Sequence, residues 1–177
     1  MIKKLILLIL VISLCATISS TAMCSIYNNN ITEIVDDYSV YFIYLKDFDY
    51  VVDVTDIKPN SYAILRYVED DTEIGSSSQV WEFRKLKNGC YVINNEGSYN
   101  GKVYNTCLAV NNDNRVYLQS KKSSKYLKNE QWKFVRYGNY YKIINNFNGK
   151  YLNIKKYPDH YYLYTSDSSN KWILSVS

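Results

Sequence analysis

Three tryptophans in one repeated setting constrain this chain more than any other feature. They are the only tryptophans among its 177 residues, and they stand in Gln79-Val80-Trp81-Glu82-Phe83, Gln131-Trp132-Lys133-Phe134 and Asn170-Lys171-Trp172-Ile173-Leu174. Their separations of 51 and 40 residues fall in the range that marks a repeat architecture. Reading back from each tryptophan, every unit supplies three more strand-like runs. In the last unit these are Tyr140-Tyr141-Lys142-Ile143-Ile144, Tyr151-Leu152-Asn153-Ile154 and Tyr161-Tyr162-Leu163-Tyr164. The middle unit offers Tyr91-Val92-Ile93, Cys107-Leu108-Ala109-Val110 and Val116-Tyr117-Leu118. The first offers Tyr41-Phe42-Ile43-Tyr44-Leu45, Val51-Val52-Asp53-Val54 and Ala63-Ile64-Leu65-Arg66-Tyr67. Four strands in each of three units predict twelve.

The local patterns agree with that count. Helical periodicity is nearly absent, whereas period-two runs rich in Tyr, Val and Ile recur between clusters of Asn, Gly, Asp and Ser. Asn88-Gly89, Asn100-Gly101 and Asn148-Gly149 are residues that take positive φ cheaply and so suit tight turns. Residues 40–177 are enough for one domain with one core. The expectation is an all-β, closed domain of three four-stranded repeats about a pseudo-threefold axis, with units at about 40–89, 90–139 and 140–177. The three tryptophans are expected as core plugs, since a large aromatic at a repeated strand position is normally packing.

Residues 1–24 read as a secretory signal: Lys3 and Lys4 precede an apolar run from Leu5 to Ile18, and a small, polar stretch follows. The run is shorter than a membrane span requires. Cleavage after Ala22 or after Cys24 fits the small residues, so the protein is expected to be secreted, with no stable membrane insertion afterwards. Residues 25–39 read as a polar tether, and within it Asn30-Ile31-Thr32 is an N-glycosylation acceptor pattern. Without Lys3 and Lys4 the basic count falls from 21 to 19 against 17 acids. A net charge of +2 argues against nucleic acid as a partner. Cys90 and Cys107 remain in the mature chain, and in an oxidising compartment two readings stay open: a disulfide, or two thiols of which one is buried.

Three units of about forty to fifty residues, each ending in Gln-x-Trp or a variant, resemble the ricin B-chain type lectins, a β-trefoil family. Only Gln79-Val80-Trp81 is a full Gln-x-Trp; the others read Glu130-Gln131-Trp132 and Asn170-Lys171-Trp172. The resemblance implies shallow sugar pockets, one for each unit. A carboxylate takes hydrogen bonds from adjacent sugar hydroxyls, an aromatic ring covers the C–H face, and a polar side chain before the tryptophan completes the contacts. In the first unit it implies Asp53 as the carboxylate, Tyr67 as the stacking ring, Ser78 as a polar contact and Gln79 as the residue that orients Asp53. Leu65 stands where the family often has another polar side chain. In the third unit Asn153, Tyr164 and Asn170 would form a weaker site. The middle unit has Ala109 in the carboxylate position and Gln119 in the aromatic one, so no site is expected there.

The expected function is therefore recognition of glycans or glycoproteins, on a host or a neighbouring cell surface, without catalysis. The alternative is a degenerate trefoil that binds protein or inhibits a protease, which the 20 tyrosines would suit as interface residues. His160 is the only histidine, and no metal-ligand spacing or nucleophile motif accompanies it. The acidic run Glu69-Asp70-Asp71-Thr72-Glu73 reads as a solvated loop. No cofactor or metal is expected.

Overall fold

The computed structural model describes residues 40–68, 78–121 and 125–176. The leader, the tether with Asn30 and the acidic run at 69–73 lie outside the described residues. Twelve strands are described. The first set is β1 (Val40–Leu45), β2 (Tyr50–Val54), β3 (Ala63–Tyr67) and β4 (Trp81–Lys85). The second is β5 (Tyr91–Tyr99), β6 (Lys102–Val110), β7 (Val116–Ser120) and β8 (Trp132–Tyr137), with a 3-10 turn at Lys128–Glu130 before β8. The third is β9 (Tyr140–Asn145), β10 (Tyr151–Lys156), β11 (Tyr161–Ser166) and β12 (Trp172–Val176).

The outer strands of each set close into a barrel. Antiparallel pairs run β1–β4, β4–β5, β5–β8, β8–β9, β9–β12 and back from β12 to β1, so the ring has no free edge. The inner strands form three hairpins, β2–β3, β6–β7 and β10–β11, that cap one end. The hairpins pair with one another through β3–β11 and through the bridges Tyr62↔Tyr117 and Arg115↔Tyr164. This is the β-trefoil, and its twelve strands match the twelve expected.

Each tryptophan opens the last strand of its unit, fully buried, and stands beside a tyrosine on the neighbouring strand: Tyr41↔Trp81, Tyr91↔Trp132 and Tyr141↔Trp172. The indole N–H groups are all satisfied in the same way. Trp81 Nε1 donates to the Val52 carbonyl at 3.0 Å, Trp132 Nε1 to Leu108 at 2.9 Å and Trp172 Nε1 to Leu152 at 3.2 Å. Two residues on, Phe83 and Phe134 pack with ring centroids 5.2 Å apart, and Tyr41 and Tyr91 press on them from either side.

The cap has its own threefold contact. Tyr62, Arg115 and Tyr162 lie two residues before the hairpin positions Ile64, Tyr117 and Tyr164, which sit opposite residues 53, 109 and 153. The Arg115 guanidinium lies between the two rings, 3.8 Å from the Tyr62 centroid and 4.6 Å from that of Tyr162. Such a cation–π pair contributes about 0.5–2 kcal/mol per ring, according to its exposure. The symmetry is broken in the middle unit, where β5 and β6 run nine residues each to a turn at Asn100 and Gly101. Both turn residues have positive φ, as a two-residue hairpin loop of this twist requires.

The disulfide reading is corrected. Cys90 and Cys107 are free and both are buried. Cys107 stands opposite Asn94, four residues beyond Cys90. That distance is about 13 Å of extended strand, against a Cα separation of about 4.4–6.8 Å in a disulfide. Burial pushes the Cys107 thiol up to about 12, with the Glu130 charge adding to the shift and Lys121 opposing it. Burial also raises Cys90, against the pull of Lys133.

Because Trp132 is wholly enclosed, Trp132→Ala is expected to cost about 3–5 kcal/mol in urea unfolding through the cavity it leaves. A loss below about 1 kcal/mol would contradict its place as a core plug.

Candidate functional site

The β2–β3 hairpin sets Asp53 opposite Ile64, with Arg66 on the same face one diagonal step away. The Asp53 carboxylate is fully buried and its oxygens are occupied. Oδ1 accepts the Val54 N–H at 2.6 Å; Oδ2 accepts Gln79 Nε2 at 3.2 Å and Arg66 Nη1 at 3.4 Å. Gln79, itself buried, also donates to the Tyr67 carbonyl at 3.1 Å, so one amide holds both the acid and the end of β3. Ser78 is buried beside it. Asp53 thus stands fully buried behind the surface, with three protein donors on its two oxygens. Its charge holds Arg66, whose side chain is 47% exposed, at the mouth of the site.

Tyr67 is 64% exposed, and Tyr50 stands directly across the hairpin from it with ring centroids 4.4 Å apart. The neighbouring Tyr67 hydroxyl, as a hydrogen-bond partner, is the main influence that raises Tyr50 above its ordinary value, and burial adds to it. Tyr161, from the third unit, turns its edge to Tyr50 at 5.8 Å. These rings form one wall of an open groove of about 780 Å³. The turn between β10 and β11 forms the other, with Lys156, Tyr157 and His160. His160 Nδ1 lies 2.6 Å from Asp159 Oδ1, and its ring is enclosed by Tyr157 at 6.1 Å and Tyr162 at 4.1 Å. The groove thus offers apolar ring faces together with guanidinium and ammonium donors, a combination suited to the C–H face and the oxygens of a sugar.

Arg66, Tyr50 and Tyr161 were not anticipated. Arg66 was legible in the alternation of β3, since it shares a face with Ile64 opposite Asp53. Tyr161 was not, because it comes from a hairpin about a hundred residues away that only the trefoil brings near.

The third unit differs from the expectation. Tyr164 lies directly opposite Asn153, in the position of Ile64, whereas the position of Tyr67 falls to Asp167. Asn153 is buried and bonded: its Nδ2 donates to Ser166 Oγ, Ser168 O and Ser168 Oγ at 2.8–3.0 Å, and its Oδ1 accepts the Ile154 N–H at 2.8 Å. Asn170 is one methylene shorter than Gln79, and its buried Nδ2 has no hydrogen-bond partner among the described residues. In the middle unit Tyr117 faces Ala109, and the equivalents of Arg66 and Tyr67 are Gln119 and Ser120, so Gln119 is one residue off the aromatic position. Among the described residues, no group of three His, Cys, Asp or Glu side chains is placed to hold a metal ion.

The geometry defines a closed β-trefoil with unequal, hydrogen-bonded cap positions. The family described as ricin-type beta-trefoil lectin domain-like matches residues 77–160. Among solved structures, Cry35Ab1 aligns with a TM-score of 0.61 at 19% identity, over 80% of this chain and 36% of that one. The designed threefold-symmetric protein ThreeFoil aligns at 0.60 and 21%, over 78% of this chain and 98% of its own. A Polyporus squamosus lectin aligns at 0.60 and 10%, over 81% of this chain and 50% of that one. The chain therefore spans about a third of Cry35Ab1 and half of the Polyporus squamosus lectin. At these identities the likeness is one of fold. A search of curated protein sequences finds no match.

The two closed networks make opposite demands on residues 53 and 153. Asp53→Asn would set a new amide against the donors of Gln79 and Arg66, and Asn153→Asp would set a carboxylate against the Ser168 carbonyl. Each exchange is expected to lower stability by about 1–3 kcal/mol in chemical unfolding. Unchanged midpoints would mean that these bonds are not held in solution.

Proposed function

We propose that this protein is a secreted, non-catalytic carbohydrate-binding protein that holds a glycan in the groove between its first and third units. The observation that carries the reading is the exposed Tyr67 ring beside Tyr50, at the mouth of a groove where the buried Asp53–Gln79 pair positions Arg66. The lectin-like family match supports it, as does the Polyporus squamosus lectin of the same fold, solved bound to the epitope Neu5Aca2-6Galb1-4GlcNAc. In this reading Asp53 is a positioning residue: the ring covers a sugar face, and Arg66 donates to its oxygens. Ser78 and Gln79 act behind it, and Asn153, Tyr164 and Asn170 contribute no equal site. A protein-binding role is the second reading, favoured by the exposure of Phe48, Tyr67 and Phe147.

The test begins with the chain expressed with residues 1–24 in place. N-terminal sequencing of material from the medium is expected to start near Met23 or Ser25, whereas recovery only as an intact membrane-bound chain would overturn export. The exported protein is then screened on a glycan array and titrated by calorimetry. Tyr67→Ala is expected to weaken binding about tenfold, near 1.4 kcal/mol. Equal affinity for the wild type and Tyr67→Ala would remove this groove from the account. Binding to a protein partner through the same tyrosines, with no glycan bound, would establish the second reading.

A further inference from the structure

We propose that the outer wall of the barrel at β8, β9 and β12 is a docking surface for an acidic polysaccharide, whose anionic groups meet a strip of lysine ammonium groups set among tyrosine rings. The net charge of +2 conceals an uneven distribution. Residues 132–177 hold seven Lys and Arg against two acids, whereas residues 40–131 hold twelve of each. The five strands from β8 to β12 contain no Asp or Glu. The two acids of this stretch, Asp159 and Asp167, stand in the β10–β11 turn and just beyond β11.

Strand alternation gathers part of this charge on one face. Across the β8–β9 hairpin Tyr137 pairs with Tyr140 and Val135 with Lys142, all on the side away from the buried Trp132, Phe134 and Ile143. The Tyr137 and Tyr140 rings stack at 6.0 Å. Lys142 Nζ lies 4.4 Å from the Tyr137 centroid and 5.7 Å from that of Tyr151, while Lys171 Nζ lies 5.3 Å from that of Tyr140. These five side chains form one continuous strip. Neither lysine forms an ion pair among the described residues. The rings position the ammonium groups without neutralising them, which lowers the ordering cost of binding an anion there.

Lysine offers a point charge on a flexible stem and no fork that fits one planar anion. Arg136, the arginine of these strands, gives its Nε to the Gly138 carbonyl at 3.0 Å. The strip is therefore suited to repeated negative charge, as a polymer with acid groups on successive sugars presents it. Val135 and Ile144, half-buried on the same face, offer apolar surface to the sugar rings. Because the strip crosses neighbouring strands of a closed barrel, it lies on a curved wall, which a flexible chain can follow and a flat bilayer touches only over a short arc. The lysines cover ring faces of Tyr137, Tyr140 and Tyr151, so nucleic-acid bases lack the open rings on which they stack. The groove between the first and third units contributes none of these residues, so the two surfaces stand or fall separately.

The purified protein is titrated by calorimetry with heparin as the acidic polysaccharide, with dextran as a neutral one, with vesicles of equimolar phosphatidylserine and phosphatidylcholine, and with a single-stranded oligonucleotide. Heparin is expected to bind about tenfold or more tighter than the other three, and more weakly as salt rises. The double variant Lys142→Ala, Lys171→Ala is expected to weaken heparin about tenfold and to lower the slope of log affinity against log salt by about two. Should it not fold, Lys171→Ala alone, at an exposed position, is expected to lower that slope by about one. Lys102→Ala removes the same kind of contact, 5.1 Å from the Tyr104 ring on β6, and is expected to change nothing. Tyr67→Ala should likewise leave heparin binding as it is. The proposal is overturned if heparin does not bind, if dextran, the vesicles or the oligonucleotide bind as tightly, if the strip variants keep the wild-type affinity and salt slope, or if Lys102→Ala or Tyr67→Ala costs as much as the loss of Lys142 and Lys171.

Discussion

The indole-to-carbonyl hydrogen bond, made three times, is the interaction on which the rest of this structure depends. Each tryptophan belongs to the barrel, and each acceptor carbonyl, of Val52, Leu108 or Leu152, belongs to a cap hairpin. The bond therefore ties the two layers at three related points. A buried indole N–H must find a partner, and here each finds a backbone carbonyl at the same place in its unit. The next residue along is 53, 109 or 153, so the side chain presented to the cap at that point is placed by the core.

That anchoring explains how the three units can differ so much at the cap. The first spends its acid on a closed network with Gln79 and Arg66. The third replaces it with an amide closed by two serines. The middle has Ala109 there and carries an acid at Glu130 instead. None of these changes touches the tryptophans, the tyrosines beside them or the Tyr62–Arg115–Tyr162 contact that fixes the hairpins to one another. A backbone frame held by core residues lets the polar positions diverge without loss of the fold.

How far each feature was legible in the sequence follows from the range over which it is decided. The twelve strands, the threefold order and the buried tryptophans depend on alternation, turn residues and a repeated motif, all local or periodic. The Asp53–Gln79 bond was legible too, because both ends sit in the motif. Register was not: Tyr164 reads as a partner of the Tyr67 kind, yet pairing places it opposite Asn153. Cys90 and Cys107 look close in a hairpin, yet four residues of β5 separate their levels. The burial of Asp53 depends on a diagonal arginine, and the groove on tyrosines from a distant hairpin. Such facts arise only when three units close around one axis.

The three indole N–H groups can be observed one by one as separate signals in a ¹⁵N-labelled sample, and their hydrogen exchange measures this anchoring directly. All three are expected to exchange only through global unfolding, with equal protection and the same dependence on denaturant. Rapid exchange of any one, at the rate of an exposed indole, would show that its unit is not tied to the cap and would contradict the account.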